Sequence, residues 1–197
     1  MKNISAKFLI TMAIGLVTSL DAQTINRYGT TTANFLEIGV GSRATSMGDA
    51  YVAVANDVSS IYWNPAGLSH VTRSSALFSI QPWLVDIDMM FAGGAFVVPS
   101  VGVIGLGITH LDYGEMDVTN LEYQDGTGER FGASDVAATF TFSRKIVSWF
   151  SFGSSMKYIS SKIWHSSASA FAVDLGVLVN TNFFSFTGKD KDGMNIG

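Results

Sequence analysis

From Ala76 onward the chain changes character at every second residue, in one segment after another. Successive side chains of a strand point to opposite faces, so a period of two marks strands whose two faces differ. The clearest case is Asp135 to Ile146. There Val136, Ala138, Phe140, Phe142 and Ile146 share one face, and Asp135, Thr139, Thr141, Ser143 and Lys145 share the other. Between Val147 and Ile163, Phe150, Phe152, Met156 and Tyr158 stand against Ser151, Gly153, Ser155, Lys157 and Ser161. Between Ala168 and Asn180, Phe171, Val173, Leu175, Val177 and Val179 stand against Ala172, Asp174, Gly176 and Asn180. Ser75 to Leu84, Met89 to Val98 and Gly102 to His110 complete a set of six strands, with Met89 to Val98 apolar on both faces. Gly105 and Gly107 alternate with Ile104, Leu106 and Ile108, and glycine on an inner face predicts close approach of another backbone.

The apolar faces need a solvent. Hydrophobic residues make up 47% of the chain and charged ones 14%, and the mean hydropathy is +0.29, more apolar than is usual for a soluble domain. Past the first two dozen residues no run of about 18 apolar residues could form a membrane-crossing helix. The other structure that satisfies its backbone inside lipid is a closed barrel with strands greasy on alternate positions. The expected fold is therefore all-β: a transmembrane antiparallel β-barrel with a small N-terminal helical plug. Six strands fall short of the roughly 8 that a barrel needs, and a seventh starts after the polar turn Gly188 to Gly193. Residues 76–197 are accordingly read as six to seven strands of a barrel whose C-terminal part is missing. The alternative is an intact protein that closes by oligomerising.

Residues 1–22 read as an export signal, with Lys2 and Lys7 ahead of the apolar run Phe8 to Val17 and a small or polar tail to Ala22. The absence of cysteine excludes a lipoprotein anchor and a disulfide framework. The net charge of −4, one unit more negative after loss of Lys2, Lys7 and Asp21, argues against nucleic acid as a partner. Residues 23–75 differ in texture, rich in Ala, Gly, Asn and Ser, and form the expected plug. A helix is predicted over Arg43 to Asn56 with Ser42 as N-cap, broken by Trp63-Asn64-Pro65-Ala66-Gly67.

The densest block is Gly39 to Leu68, with Gly41-Ser42-Arg43-Ala44, Met47-Gly48-Asp49-Ala50, Asn56-Asp57 and Trp63-Asn64-Pro65-Ala66-Gly67-Leu68. It resembles the N-terminal segment of the PorV/PorQ family, itself similar to the FadL-like long-chain fatty acid transporters. Gln81-Pro82-Trp83 and Ala172-Val173-Asp174-Leu175-Gly176 also look like that family. The resemblance implies a non-enzymatic protein of the bacterial cell outer membrane, surrounded by outer-membrane lipid. Its role would be type IX-like protein secretion or surface attachment, with secreted proteins or secretion components as partners at the long acidic loop Asp112 to Ala133. The alternative is passive transport of hydrophobic small molecules such as fatty acids, gated by the plug. The plug motif comprises Gly41, Arg43, Met47, Gly48, Asp49, Asp57, Trp63, Asn64, Pro65 and Gly67. Arg43, Asp49 and Asp57 would need partners once enclosed, and the inward Asp135, Lys157 and Asp174 are candidates, as fasteners or as the lining of a route.

Other patterns carry less. Gly39 to Ala44 fits a dinucleotide fingerprint, with Asp57 near the distance of a ribose-binding acid, yet no crossover helix and second strand fit between them. His70, His110 and His165 lack ligand spacing, and Asp190-Lys191-Asp192-Gly193 opens like a calcium loop without its remaining ligands. No nucleophile and base fall into a pairing, so neither a cofactor nor catalysis is expected. Trp83, Trp149 and Trp164 suit interfacial belts, whereas Trp63, within the plug, suits packing against the wall.

Overall fold

The computed structural model describes residues 33–84, 87–181 and 194–197. The expected export signal, the first residues of the plug and the calcium-like Asp190 to Gly193 lie outside these. One antiparallel sheet takes its strands in chain order: β1 Ser75–Pro82, β2 Asp88–Val98, β3 Gly102–Asp117, β4 Arg130–Val147, β5 Phe150–Ile163, β6 Ser166–Thr181 and β7 Met194–Ile196. The sheet curls into half a barrel. Each neighbouring pair is antiparallel, so the edge strands β1 and β7 run in the same direction.

The register staggers as barrel walls do. Ser75, the first residue of β1, aligns in turn with Ala95, Gly105, Thr141, Ser155 and Asp174, leaving Leu175 to Thr181 of β6 beyond that row. Strand ends that creep along a sheet in this way are what tilted strands require. Connections at one end of the sheet are tight, from Val98 to Gly102 and from Val147 to Phe150. At the other end, the acidic loop is shorter than the expected Asp112 to Ala133. β3 continues to Asp117 past a bulge at Asp112 to Glu115, β4 begins at Arg130, and only 118–129 connect them. Arg130 holds the extension together, its side chain donating to Asp117 at 3.0 Å and Glu115 at 2.9 Å across the strands. The Ile163 to Ser166 turn at that same end is as tight as those opposite, so loop length alternates only in part.

Residues 33–74 lie against one face of the sheet, here the covered face. The helix expected over Arg43 to Asn56 is not there. Ser42–Thr45 makes one helical turn, with Ser42 as its first residue and Gly41 in the capping position. Gly48 and Asp49 then adopt left-handed backbone, φ +61° and +63°, which ends helical propagation. A second helical turn, Ser60–Trp63, leads through an extended Asn64 into the 3-10 helix Pro65–His70, as the residue before a proline requires. Phe35, Val40, Val58, Ile61 and Leu68 from this segment pack with Met89, Phe91, Val103, Leu111 and Ile159 of the sheet. A smaller cluster inside the segment joins Ala44, Tyr51 and Ala55, flanked by Val54 and Trp63.

Candidate functional site

The glycines of the covered face are where the segment comes closest. A Cβ on Gly105 would lie 2.7 Å from Leu68 Cδ2, and one on Gly107 would lie 2.8 Å from Ile61 Cγ2. On Gly153 it would run into the backbone of Pro65 and Ala66, and on Gly176 into the Asn64 side chain and the Pro65 ring. Thr139, Thr141, Ser143, Ser151 and Ser155 complete this floor of small residues and are buried. Thr141 and Ser155 bond each other at 2.8 Å, and Ser143 donates to the Ala66 carbonyl at 3.1 Å, so the hydroxyls stay satisfied. The double apolarity of β2 has the same origin: Met89, Phe91 and Ala95 bury against the segment, while Ala92 and Phe96 face outward.

Asn64 is the hinge pin of the contact. Its Nδ2 donates to the carbonyls of Val52 at 3.1 Å and Val177 at 3.0 Å, and its Oδ1 accepts from the Ala66 amide at 3.0 Å. One buried side chain thus ties two parts of the segment to β6. Pro65 is buried beside it, and Gly67 lies so close to the Ala55 carbonyl that a side chain would not fit. Trp63, expected to pack against the wall, instead donates from Nε1 to the Val40 carbonyl at 3.0 Å and meets Tyr51 and Tyr62 edge-on, contacts that lie inside the segment. Tyr62, which sequence reasoning did not single out, donates to the carbonyls of Leu36 and Ile38. Burial, then the carboxylates of Asp49 and Glu37, push its hydroxyl well above the usual phenol range and keep it a donor.

The charged residues pair, but mostly within their own element. Arg43 donates to Asn56 Oδ1 at 2.9 Å, stands 3.6 Å from Asp57 and lies over the Tyr51 ring at 5.3 Å. Asp57 also accepts from the Ser59 amide at 2.8 Å and from the Tyr51 hydroxyl at 3.1 Å, so it organises the turn into Ser60–Trp63. Asp49 packs its carboxylate on Gly39, Gly41 turns with φ +89°, and Met47 is exposed. On the wall, Lys157 pairs with Asp174 at 2.7 Å, and Asp135 accepts from Tyr113 at 2.7 Å. The segment reaches these wall charges through Tyr62, whose ring lies 6.0 Å from Lys157 Nζ. A cleft of about 370 Å³ opens there, between Tyr62, Trp63 and Asn64 on one side and Lys157, Asp174 and Gly176 on the other. His110 and His165 lie on the sheet and its turn, and no group of three metal-ligating side chains forms among the described residues.

Among the described residues, none covers the opposite, open face. The register aligns Phe78, Ala92, Ile108, Ala138, Tyr158 and Phe171 in one row and Ala76, Gly94, Leu106, Phe140, Met156 and Val173 in the next. Phe78 is 66% exposed, Phe171 75% and Leu175 72%, levels at odds with a water-facing sheet. The greasy rows are fenced on one side by Asp88, Asp112, Ser134 and Lys162, which are mutually aligned, and on the other by Arg144, aligned with Phe152. From Phe152 to Ser160 the band spans about 27 Å along β5. A barrel tilt reduces that to about 20 Å, close to the roughly 25 Å apolar girdle of outer-membrane barrels. Trp149 lies at one end of the sheet and Trp83 and Trp164 at the other, all exposed. No protein-family model matches the chain, and no curated protein matches it.

Proposed function

We propose that the chain forms part of the wall of a bacterial outer-membrane β-barrel, with residues 33–74 as a plug seated on its inner face. One observation carries this: the open face is a largely apolar band free of carboxylates, lysines and arginines, with His110 in its outermost row, continuous over six strands and fenced by charges at a spacing suited to a bilayer. Folding into phospholipid vesicles tests it. The sheet should insert without detergent and Trp149 should be quenched by lipids brominated near the headgroup. A chain that stays monomeric and soluble in buffer, with unquenched tryptophans, overturns the assignment.

Within that setting, the resemblance of Gly39 to Leu68 to the PorV/PorQ family supports a non-enzymatic role in protein secretion or surface attachment. The acidic connection 118–129, held out by Arg130, is the natural contact for secreted proteins or secretion components. FadL-like passage of hydrophobic small molecules is less well supported, because the apolar inner side of β2 is filled by the segment. Purification from native membranes separates the two: a bound secreted protein supports the first, and copurified fatty acid without a protein partner overturns it.

A further inference from the structure

The two ends of the sheet carry opposite charge. Asp88, Asp112, Glu115, Asp117, Glu122, Asp125 and Glu129 gather at the end holding the acidic connection, against Arg130 and Lys162. At the other end stand Arg73, Arg144 and Lys145, all exposed, with no acid on the described strands or turns there.

A cleft of about 350 Å³ opens at this basic end, between the β2–β3 turn, the end of β4 and the close of the 3-10 helix. Arg144, Lys145, Ser100, Ser69 and the Gly102 backbone line it. Arg130 and Lys157 are in ion pairs, but Arg144 and Lys145 form none among the described residues. Ser69 already donates to the Ala66 carbonyl at 2.8 Å, which leaves Ser100 as the hydroxyl in the turn itself. Among the described residues, the other titratable groups nearby are His70, whose imidazole responds to Lys145, and Arg73. Arg144 sits on the open-face parity, aligned with Phe152 and one step from Phe142, so its guanidinium marks the boundary where the apolar band ends.

We infer that this cleft, at the rim of the sheet, binds the phosphate of an anionic phospholipid, with Lys145 reaching it from the covered-face side and Arg144 from the open-face side, along which the acyl chains run. This rests on the membrane reading above. A planar guanidinium matches phosphate oxygens in pairs, and the adjacent ammonium adds a point charge. A zwitterionic headgroup brings its own ammonium beside the two cations and is repelled, whereas an anionic headgroup offers its phosphate without one. The site also orients the sheet, directing its basic end to the leaflet richer in anionic phospholipid.

The test uses the full chain folded into phosphatidylcholine vesicles with and without phosphatidylglycerol. Wild type should prefer the phosphatidylglycerol vesicles. Arg144→Gln and Lys145→Gln should each weaken that preference about fivefold. Arg73→Gln, at the same end but outside the cleft, should change it by less than about twofold. Ser100→Asp keeps both cations and should lower the preference by repulsion, which guards against a fold defect in the charge variants. Equal losses from Arg73→Gln and Arg144→Gln would show diffuse attraction only and overturn the site. Abolition of the preference by inorganic phosphate at concentrations that leave ionic strength unchanged would identify a free-phosphate site and overturn the lipid assignment. Failure to insert into either vesicle would overturn the membrane reading, whereas equal insertion into both would overturn only this inference.

Discussion

The covered and open faces of the sheet are made from the same strands, yet side-chain size, more than polarity, separates them. On the covered face Gly105, Gly107, Gly153 and Gly176 bring the segment's backbone and side chains into contact, with buried Thr and Ser between. On the open face Phe78, Phe140, Phe171 and Leu175 stand exposed in rows. A water-soluble sheet would invert this order, placing large apolar side chains inward and small or polar ones outward. Burial therefore tracks how closely a backbone must approach, and the greasy side is left uncovered by the described residues.

Enlarging the covered face should break the contrast most severely. Gly153→Val drives a branched side chain into the Pro65–Ala66 backbone, which has no rotamer to give. We expect a loss of about 3 kcal/mol or failure to fold, read from the urea midpoint of the folded band in a heat-modifiability gel. Charging the open face is next: Phe140→Arg at the middle of the band should cost about 2–4 kcal/mol in vesicles. A cost within about 0.5 kcal/mol, as at an ordinary wet surface, would erase the distinction between the faces.

Asn64→Ala should cost about 2 kcal/mol, because the Val52 and Val177 carbonyls and the Ala66 amide each lose a partner. Loosening of the segment would show as faster proteolysis of residues 33–74 while the strands stay protected. The smallest effect concerns His70. Burial, then the charge of Lys145, hold its imidazole below the ordinary 6.5. As pH falls through that value the unfolded chain takes up a proton that the folded one resists, so stability present above pH 6.5 declines on acidification. His70→Gln should flatten that part of the pH profile of the urea midpoint.

The strands were legible because alternation is local, and β4, β5 and β6 follow the parity of Val136, Phe152 and Phe171 closely. Legibility failed where alternation pauses. The extension of β3 to Asp117 rests on Arg130 reaching across to Glu115 and Asp117, a pairing that looks like a loop in one dimension. The expected helix over Arg43 to Asn56 has apolar residues at helical spacing, but spacing does not register that Gly48 and Asp49 turn left-handed. Of the site, the glycine row announced a close neighbour and the Asn64-Pro65 step announced an extended residue. The bond from Asn64 to Val177, between residues 113 apart, left no local trace. Nor did the charge pairing: Arg43 finds Asp57 and Lys157 finds Asp174, each nearer home than the cross-pairing that enclosure suggested.

The parallel heading of β1 and β7 limits how the half-barrel could close into the membrane ring proposed above. A twin molecule rotated about the long axis of the cylinder would bring β7 of one beside β1 of the other pointing the same way, against the up-and-down order of membrane cylinders. Closure that respects that order takes an odd number of added staves, so a pair of copies facing one side of the membrane does not make the ring.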